Sequence, residues 1–266
     1  MYRSRARVGI GAFIAVGALY VAMVAFAAKP MMMAVNTGAK ITVLSPKPGQ
    51  VITGNVVNTD IAVSNFKVDC GYAGTANRMG IGHYHVHLDG GLVNMFCGAK
   101  ATISLANVSA GKHTLEFVAA EDDHAEDMHS AKSVTFIYRP SHPLVVTARH
   151  YAGAPAITIV SPKNGATVSG GFDLVVRTSN FTPSCALYGK PNLAGYGHWH
   201  AFVDTVNGGM MGMGTMLGMS CAKSFRVSLA GIKPGVHKFF AELVDNLHAP
   251  TITGSSTTAS VAVNVK

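Results

Sequence analysis

The sequence predicts an all-β protein made of two tandem β-sandwich domains of the immunoglobulin or fibronectin type, which follow an N-terminal signal or anchor segment. Three observations lead to this prediction: an internal repeat, a succession of short alternating strands, and one pair of cysteines in each repeat. With 266 residues, the chain has room for two domains of ordinary size.

The internal repeat organises most of the chain. The segment Ile41–Lys47 recurs as Ile157–Lys163, and a pair of histidines recurs 115 residues further on. The offset grows to 124 residues at the second cysteine, so the second copy carries an insertion. The predicted domains are a signal peptide or anchor at 1–27, a linker at 28–38, repeat 1 at 39–139, a linker at 140–155 and repeat 2 at 156–266.

Within each repeat the pattern is typical of strands. Short runs rich in β-branched residues alternate apolar and polar positions and end at Gly, Pro, Asn or Asp. The strands predicted in repeat 1 are Asp60–Val63, Tyr84–Leu88, Thr114–Ala119 and Ser133–Tyr138, and those in repeat 2 are Asp173–Arg177, Trp199–Asp204, Lys238–Val244 and Ala259–Val265. Each repeat is therefore expected to form its own sandwich around its own core.

The N-terminus has the pattern of an export signal. Arg3, Arg5 and Arg7 precede the apolar run Val8–Phe26, and Ala25–Ala27 fits a cleavage site. An uncleaved membrane anchor is the alternative, because the run approaches the roughly 20 residues that a spanning helix needs. In both cases the body of the chain is expected outside the cytoplasm, which means in the periplasm, secreted or at the cell surface.

One cysteine pair falls at equivalent places in each repeat, Cys70 with Cys97 and Cys185 with Cys221. An exported chain permits disulfides, and the repeat favours these two pairings over the others that four cysteines allow. Thiols that bind a metal are the alternative, although no two of these cysteines have the C-x-x-C spacing.

Histidines on one predicted strand of each repeat are the sharpest functional signal. Side chains alternate faces along a strand, so His83 and His85 share the face opposite to Tyr84. In repeat 2, His198 and His200 share a face in the same way. Because Tyr84 and its apolar neighbours should point into the core, the histidines are expected on the outer face of each sandwich.

A third histidine follows a later strand of each repeat, His124 in repeat 1 and His248 in repeat 2. Three histidines suit Zn²⁺ or Cu²⁺, and neutral imidazole is the binding form, so affinity is expected to fall as the pH drops through about 6.5. Asp89 and Asp204 are expected to orient the rings as hydrogen-bond acceptors. The alternative is that these histidines only form a structural hydrogen-bond network.

A methionine-rich segment lies where repeat 2 is longer than repeat 1, and it contains Met210, Met211, Met213, Met216 and Met219. Thioethers bind Cu(I), which makes Met211, Met213, Met216 and Met219 candidate copper ligands. The alternative is an adaptable apolar segment that packs on the domain or on a partner.

Charge and motifs exclude several functions. The formal net charge is +8, but Lys and Arg are scattered and do not interleave with aromatic residues, so no nucleic-acid partner is expected. The chain has no G-x-S-x-G, H-E-x-x-H or phosphate-cradling glycine motif, so it is not expected to be an enzyme. A membrane is expected as a partner only through an uncleaved N-terminal segment.

The histidine strands and their surroundings resemble an uncharacterised family of exported prokaryotic immunoglobulin-like domains, whose pattern is G-H-x-H-x-x-x-D, then P-G-x-H-x-L, then D-H or N-x-H. Repeat 1 matches at Gly82, His83, His85, Asp89, Gly111, His113, Leu115 and His124, and repeat 2 at Gly197, His198, His200, Asp204, Pro234, Gly235, His237, Asn246 and His248. Repeat 1 lacks the Pro before Gly111, and repeat 2 adds the methionine-rich insertion. The resemblance implies a β-sandwich at the cell surface or in the periplasm.

Two hypotheses of function follow from the sequence. The first is a non-enzymatic exported binding module that takes copper or zinc through the paired histidines and the methionine-rich segment. The second is a structural or adhesive protein that contacts a protein or surface partner and whose histidines only organise the fold.

Overall fold

The computed structural model describes residues 35–206, 213–250 and 256–266. The signal or anchor segment predicted at 1–27 lies outside these residues and stays a prediction. Within the described ranges, no helix has the length and apolar character needed to cross a membrane. From residue 35 onward the described chain forms one compact unit.

All eight predicted strands are confirmed. Seven lie wholly within a strand of the structure, and Trp199–Asp204 extends one residue past a strand that ends at Val203. The strands of repeat 1 are β1 (Lys40–Ser45), β2 (Gln50–Ile52), β3 (Val56–Ser64), β4 (Lys67–Val68), β5 (Ile81–Leu88), β6 (Gly91–Phe96), β7 (Lys100–Ser104), β8 (Gly111–Ala120) and β9 (Glu126–Tyr138). Those of repeat 2 are β10 (Ala156–Ser161), β11 (Ala166–Val168), β12 (Phe172–Ser179), β13 (Thr182–Pro183), β14 (Tyr196–Val203), β15 (Met216–Ser220), β16 (Ser224–Val227), β17 (Gly235–Val244) and β18 (Thr258–Val265).

Each repeat folds into two sheets with the same topology. In repeat 1 a three-stranded sheet has the order β1-β3-β7, and a larger sheet has the order β2-β9-β8-β5-β4, with β6 also paired to β5. Repeat 2 has the sheets β10-β12-β16 and β11-β18-β17-β14-β13, with β15 paired to β14. The predicted all-β class and the sandwich of the immunoglobulin or fibronectin type are confirmed, since β1 packs on β8 and β9, and β10 packs on β17 and β18.

The inward faces of β5 and β14 build the two cores, as their alternation predicts. Tyr84 and Val86 of β5 are buried, and so are Trp199 and Ala201 of β14. The core of repeat 1 does not stop at its own sandwich, because side chains of repeat 2 join the same apolar cluster: Tyr188, Phe202, Met213, Met216 and Met219. The two repeats therefore pack against each other.

Both predicted disulfides are present. Cys70 bonds to Cys97, and Cys185 bonds to Cys221, so each bond stays within its repeat. In each repeat the bond ties a single-turn 3-10 helix, Cys70–Tyr72 or Cys185–Leu187, to the end of the neighbouring strand, β6 or β15. The disulfides thus hold the loop beside the histidine strand in the same way in both copies.

The predicted linker at 140–155 runs along both repeats. Asn107 N of repeat 1 donates to Leu144 O, and Arg149 N donates to Ala194 O of repeat 2, both at 2.9 Å. These bonds attach the connection to both sandwiches.

Candidate metal centre

Three histidines of repeat 1, His83, His85 and His124, form a group that is called cluster 1 below. His83 and His85 lie two residues apart on β5, so their rings extend from the same face of the strand. Their Nε2 atoms are 3.1 Å apart. The His124 ring lies over both, with its centroid 4.6 Å from that of His83 and 5.7 Å from that of His85.

The equivalent residues of repeat 2, His198, His200 and His248, form cluster 2, and they converge more tightly. His198 Nε2 lies 3.0 Å from His200 Nε2 and 2.9 Å from His248 Nδ1, and the third side of this triangle is 3.3 Å. Two nitrogens that bind one tetrahedral zinc at about 2.0–2.1 Å lie about 3.3 Å apart. One ring nitrogen from each histidine therefore faces the same point, with one separation equal to that value and two that are 0.3–0.4 Å shorter.

The third histidine of each cluster is held in an unusual backbone conformation. His124 has φ 68° and His248 has φ 66°, the left-handed region that residues other than glycine seldom occupy. Both occur in a tight turn, in which the His124 N–H donates to Glu121 O and the His248 N–H donates to Asp245 O. Strain of this kind is typical of functional sites, and here it directs a ring at the strand histidines in both repeats.

Each third histidine also reaches across to the other repeat. His124 Nε2 donates to Met216 O of β15 at 2.6 Å, and His248 Nε2 donates to Leu92 O of β6 at 2.7 Å. Leu92 pairs with His87, and Met216 pairs with its counterpart Phe202, so the two carbonyls are equivalent. The two bonds form a reciprocal pair, as expected for a pseudo-two-fold interface.

Glycines permit this close approach. A Cβ on Gly74 would lie 2.7 Å from Met216 O, and one on Gly189, its counterpart in repeat 2, would lie 2.6 Å from Leu92 O. Both glycines also have positive φ, so they are suited to these positions for two reasons.

The hydrogen bonds of cluster 1 determine which ring nitrogens carry lone pairs. His124 donates through Nε2, which leaves Nδ1 as an acceptor, and His85 donates through Nδ1 to Glu126 Oε1 at 2.7 Å, which leaves Nε2 as an acceptor. His124 Nδ1 is buried and has no hydrogen-bond partner among the described residues. A cation between the rings would satisfy these lone pairs, whereas an unpaired buried acceptor costs about 1–3 kcal/mol.

Burial lowers the pKa of five of the six cluster histidines. Burial, followed by the charges of neighbouring histidines, lowers the pKa of His83, His198 and His200 well below the usual range. Burial lowers the pKa of His124 to about 3 and that of His248 to about 4. The expectation that metal affinity falls through about pH 6.5 assumed exposed rings, and it stays a prediction. In the metal-free chain the pKa values of these five rings lie below that pH.

The expected outer face of the histidine strands is not exposed. The histidines do lie opposite to the inward residues of β5 and β14, but all six are 5% exposed or less. The reason is the packing between the repeats, which covers this face with the other sandwich. Alternation along one strand identifies two faces but cannot show that a second domain covers one of them.

The aspartates have a different role from the expected one. Asp89 Oδ2 accepts from His113 Nδ1 at 2.7 Å, and Asp204 Oδ2 accepts from His237 Nδ1 at 2.8 Å. Asp89 Oδ1 also accepts from the Thr114 N–H, so this carboxylate fastens the end of β5 to β8. The expectation that Asp89 and Asp204 orient the cluster rings is therefore wrong.

The described methionines of the methionine-rich segment pack as apolar side chains, which is the alternative to copper binding. Met213, Met216 and Met219 are buried and belong to the apolar cluster between the repeats. Met211 lies outside the described residues. Packing between two sandwiches accounts for the three described side chains without a copper ion.

Sequence reasoning missed Glu126 as a hydrogen-bond partner of the histidines. Glu126 Oε1 accepts from His85 Nδ1 and, at 2.8 Å, from His87 Nε2. His87 corresponds to Phe202 at the offset of 115, and Glu126 corresponds to Pro250 at the offset of 124. Comparison of the two copies, position by position, was the available signal.

The comparisons with known proteins concern the fold only. No protein-family model and no curated protein matches the chain. Among solved structures, fibronectin(III)-like modules of CbhA from Clostridium thermocellum align with a TM-score of 0.27 and 16% identity over 85% of this chain and 94% of that chain.

Two further solved structures resemble the chain weakly. The D00-D0 domain of intimin aligns with a TM-score of 0.22 and 11% identity over 85% of this chain and 98% of that chain. The BSP domain of a biofilm-associated protein aligns with a TM-score of 0.23 and 14% identity over 86% of this chain and 29% of that chain. The assignment of the fold therefore rests on the strand pairing of this chain, and the resemblance to a family of exported domains stays an expectation.

Proposed function

We propose that this protein is an exported, non-enzymatic binding module that holds two divalent zinc or copper ions, one in each histidine cluster. The observation that supports this most directly is the convergence of His198 Nε2, His200 Nε2 and His248 Nδ1 within 2.9–3.3 Å. Imidazole nitrogens suit both Zn²⁺ and Cu²⁺, and hydrogen bonds through the other ring nitrogen orient His85, His124 and His248.

Burial favours holding an ion over catalysis. The cluster rings are 5% exposed or less, so a bound ion would have no open side towards a substrate in this conformation. Catalytic zinc sites keep one coordination position for water or substrate, whereas structural sites are closed. The proposed ions would therefore have a structural role, each within one repeat and next to the interface between the repeats.

The alternative is a structural or adhesive surface protein whose histidines only organise the fold. The bonds from His85 and His87 to Glu126 favour it, because they satisfy ring nitrogens without any metal. In this structural alternative the buried His124 Nδ1 has no hydrogen-bond donor among the described residues. We therefore prefer the metal-binding function.

The test uses mature protein purified without a histidine tag. Metal content is measured by elemental analysis as isolated. After chelation, Zn²⁺ and Cu²⁺ are titrated separately by calorimetry at pH 7.5, with long equilibration because the rings are buried. About two ions per chain are expected, and His85→Ala combined with His200→Ala should abolish tight binding at both clusters.

The matched control removes two exposed histidines of the linker, as His142→Ala with His150→Ala. This variant should bind like wild type, because neither side chain belongs to a cluster. Equal heats for wild type and the cluster variant, or no binding tighter than about 100 μM (about −5.5 kcal/mol), would return the histidines to the structural alternative.

A further inference from the structure

The surroundings of the two clusters differ in charge, although their histidines are equivalent. Beside cluster 1, Glu126 accepts hydrogen bonds from His85 and from His87. At the corresponding places repeat 2 has Pro250 and Phe202, neither of which can accept a hydrogen bond through its side chain. The ring of His200 therefore has no counterpart of the Glu126 carboxylate.

A second position repeats this difference. Asp122 of repeat 1 corresponds to Asn246 of repeat 2, and both side chains are fully buried next to the turn that carries the third histidine. Arg78 approaches Asp122 Oδ2 at 3.3 Å and offsets part of its charge. At these two positions repeat 1 has carboxylates and repeat 2 has uncharged side chains. Repeat 2 has a carboxylate at a third position, because Glu242 lies opposite His200 in the β14–β17 register, but this carboxylate accepts from Thr258 Oγ1 rather than from a ring.

The carboxylate of Glu126 affects His85 Nε2, the nitrogen that faces the proposed metal, because it bonds to Nδ1 of the same ring. By accepting the Nδ1 proton at 2.7 Å, it selects the tautomer whose Nε2 lone pair faces His83. It also makes that nitrogen a stronger donor, since a carboxylate draws the proton and leaves more negative charge on the ring. Loss of such a partner typically lowers metal affinity about 10–100-fold.

We infer that Glu126 is a positioning residue that makes cluster 1 the tighter of two unequal metal sites, so that the protein fills cluster 1 first and cluster 2 at higher metal concentration. This inference rests on the proposed function and adds the order of filling to it. The two sites would have the same types of ligand. The inference is that the carboxylate behind His85 raises the affinity of cluster 1 by more than the closer convergence of the nitrogens raises that of cluster 2.

The test separates the two sites by variants of the full chain. His198→Ala with His200→Ala leaves only cluster 1, and His83→Ala with His85→Ala leaves only cluster 2. Zn²⁺ is titrated into each in competition with a chromophoric chelator. We expect cluster 1 to bind about 10–100-fold more tightly, Glu126→Gln to remove that advantage in the first background, and Glu126→Gln to change nothing in the second.

The matched control is Glu116→Gln. Glu116 lies opposite His87 in the β5–β8 register, so this change removes a nearby negative charge but keeps the bond between Glu126 and His85. It should change the affinity of cluster 1 less than threefold. If the paired alanine changes prevent folding, wild type and Glu126→Gln are compared as two-site titrations, in which only the tighter step should weaken.

The outcomes distinguish this inference from the function on which it rests. Two sites of equal affinity, or the same loss from Glu126→Gln and from Glu116→Gln, would overturn the inference and leave metal binding intact. Absence of tight binding to wild type would overturn the proposed function, and the inference with it.

Discussion

In His124 and His248 the two ring nitrogens face different parts of the molecule. In each, Nε2 holds a backbone carbonyl of the other repeat, and Nδ1 faces the strand histidines of its own repeat. The left-handed backbone at both positions is the local cost of that orientation, of order 1–3 kcal/mol. A residue with only one polar end could not serve both purposes.

The neutral state of cluster 2 predicts acid sensitivity of the metal-free protein. An unfolded histidine takes up a proton near pH 6.5, whereas burial lowers the pKa of His248 to about 4 and those of His198 and His200 well below the usual range. Between these values the unfolded state binds more protons, so stability is retained above about pH 6.5 and falls as the pH drops towards 4. At pH 5 each of these rings lowers the free energy of unfolding by about 2 kcal/mol relative to neutral pH.

The measurement is urea unfolding at several pH values between 7.5 and 5 with a chelator present. His248→Gln should show a shallower loss than wild type, because one of the buried titrating groups is gone. A free energy of unfolding that stays constant between pH 7.5 and 5 would contradict the burial of neutral histidines.

At the scale of elements, β6 and β15 decide how the sandwiches meet. Each is paired to the edge of its own histidine strand, and each presents one carbonyl to a histidine of the other repeat. Both carbonyls are approached by a glycine of the opposite repeat, Gly74 or Gly189. The interface thus depends on positions where no side chain fits.

Gly189→Ala should weaken the interface more than a comparable change elsewhere. The new Cβ would lie 2.6 Å from Leu92 O, the acceptor of His248, so the repeats would have to separate locally. Gly49→Ala is the matched control, since Gly49 has a similar φ of 73° and open space around it. In chemical denaturation, Gly189→Ala should cost about 1–3 kcal/mol more than Gly49→Ala.

The same variant also probes cluster 2. Displacement of Leu92 O removes the acceptor that orients the His248 ring, so Zn²⁺ affinity at cluster 2 should drop about 10-fold or more. Equal destabilisation by the two glycine changes, with unaltered metal binding, would mean that the carbonyl contact is dispensable.

At the scale of the whole molecule, the two sandwiches share apolar packing and a reciprocal pair of hydrogen bonds. We therefore expect the intact chain to unfold in one calorimetric transition whose van't Hoff and calorimetric enthalpies agree. Saturating Zn²⁺ should raise its midpoint, because an ion at 100 times its dissociation constant adds about 2.7 kcal/mol per site. Two separate unfolding transitions would contradict the shared packing of the sandwiches. A midpoint that Zn²⁺ does not raise would contradict metal binding by the folded chain.

The repeat, the strands and the disulfide pairing were predictable from the amino-acid sequence alone. Periodicity of two along β5 and β14 separates Tyr84 and Trp199 from the histidines, since strand geometry places successive side chains on opposite faces. Equivalent placement of the cysteines in two copies was sufficient to select their pairing. The three histidines of each cluster were also predictable, because a repeat copies their spacing.

The residues that cover the histidines and those that orient them became known only from the folded chain. Burial of the face opposite to Tyr84 results from contact with the second sandwich, and no local pattern in β5 encodes that contact. Asp89 is near the histidines in sequence, yet it bonds to His113, whereas Glu126 bonds to His85 because β9 returns beside it. Such partners depend on the packing of distant segments, whereas the strand pattern depends only on neighbours along the chain.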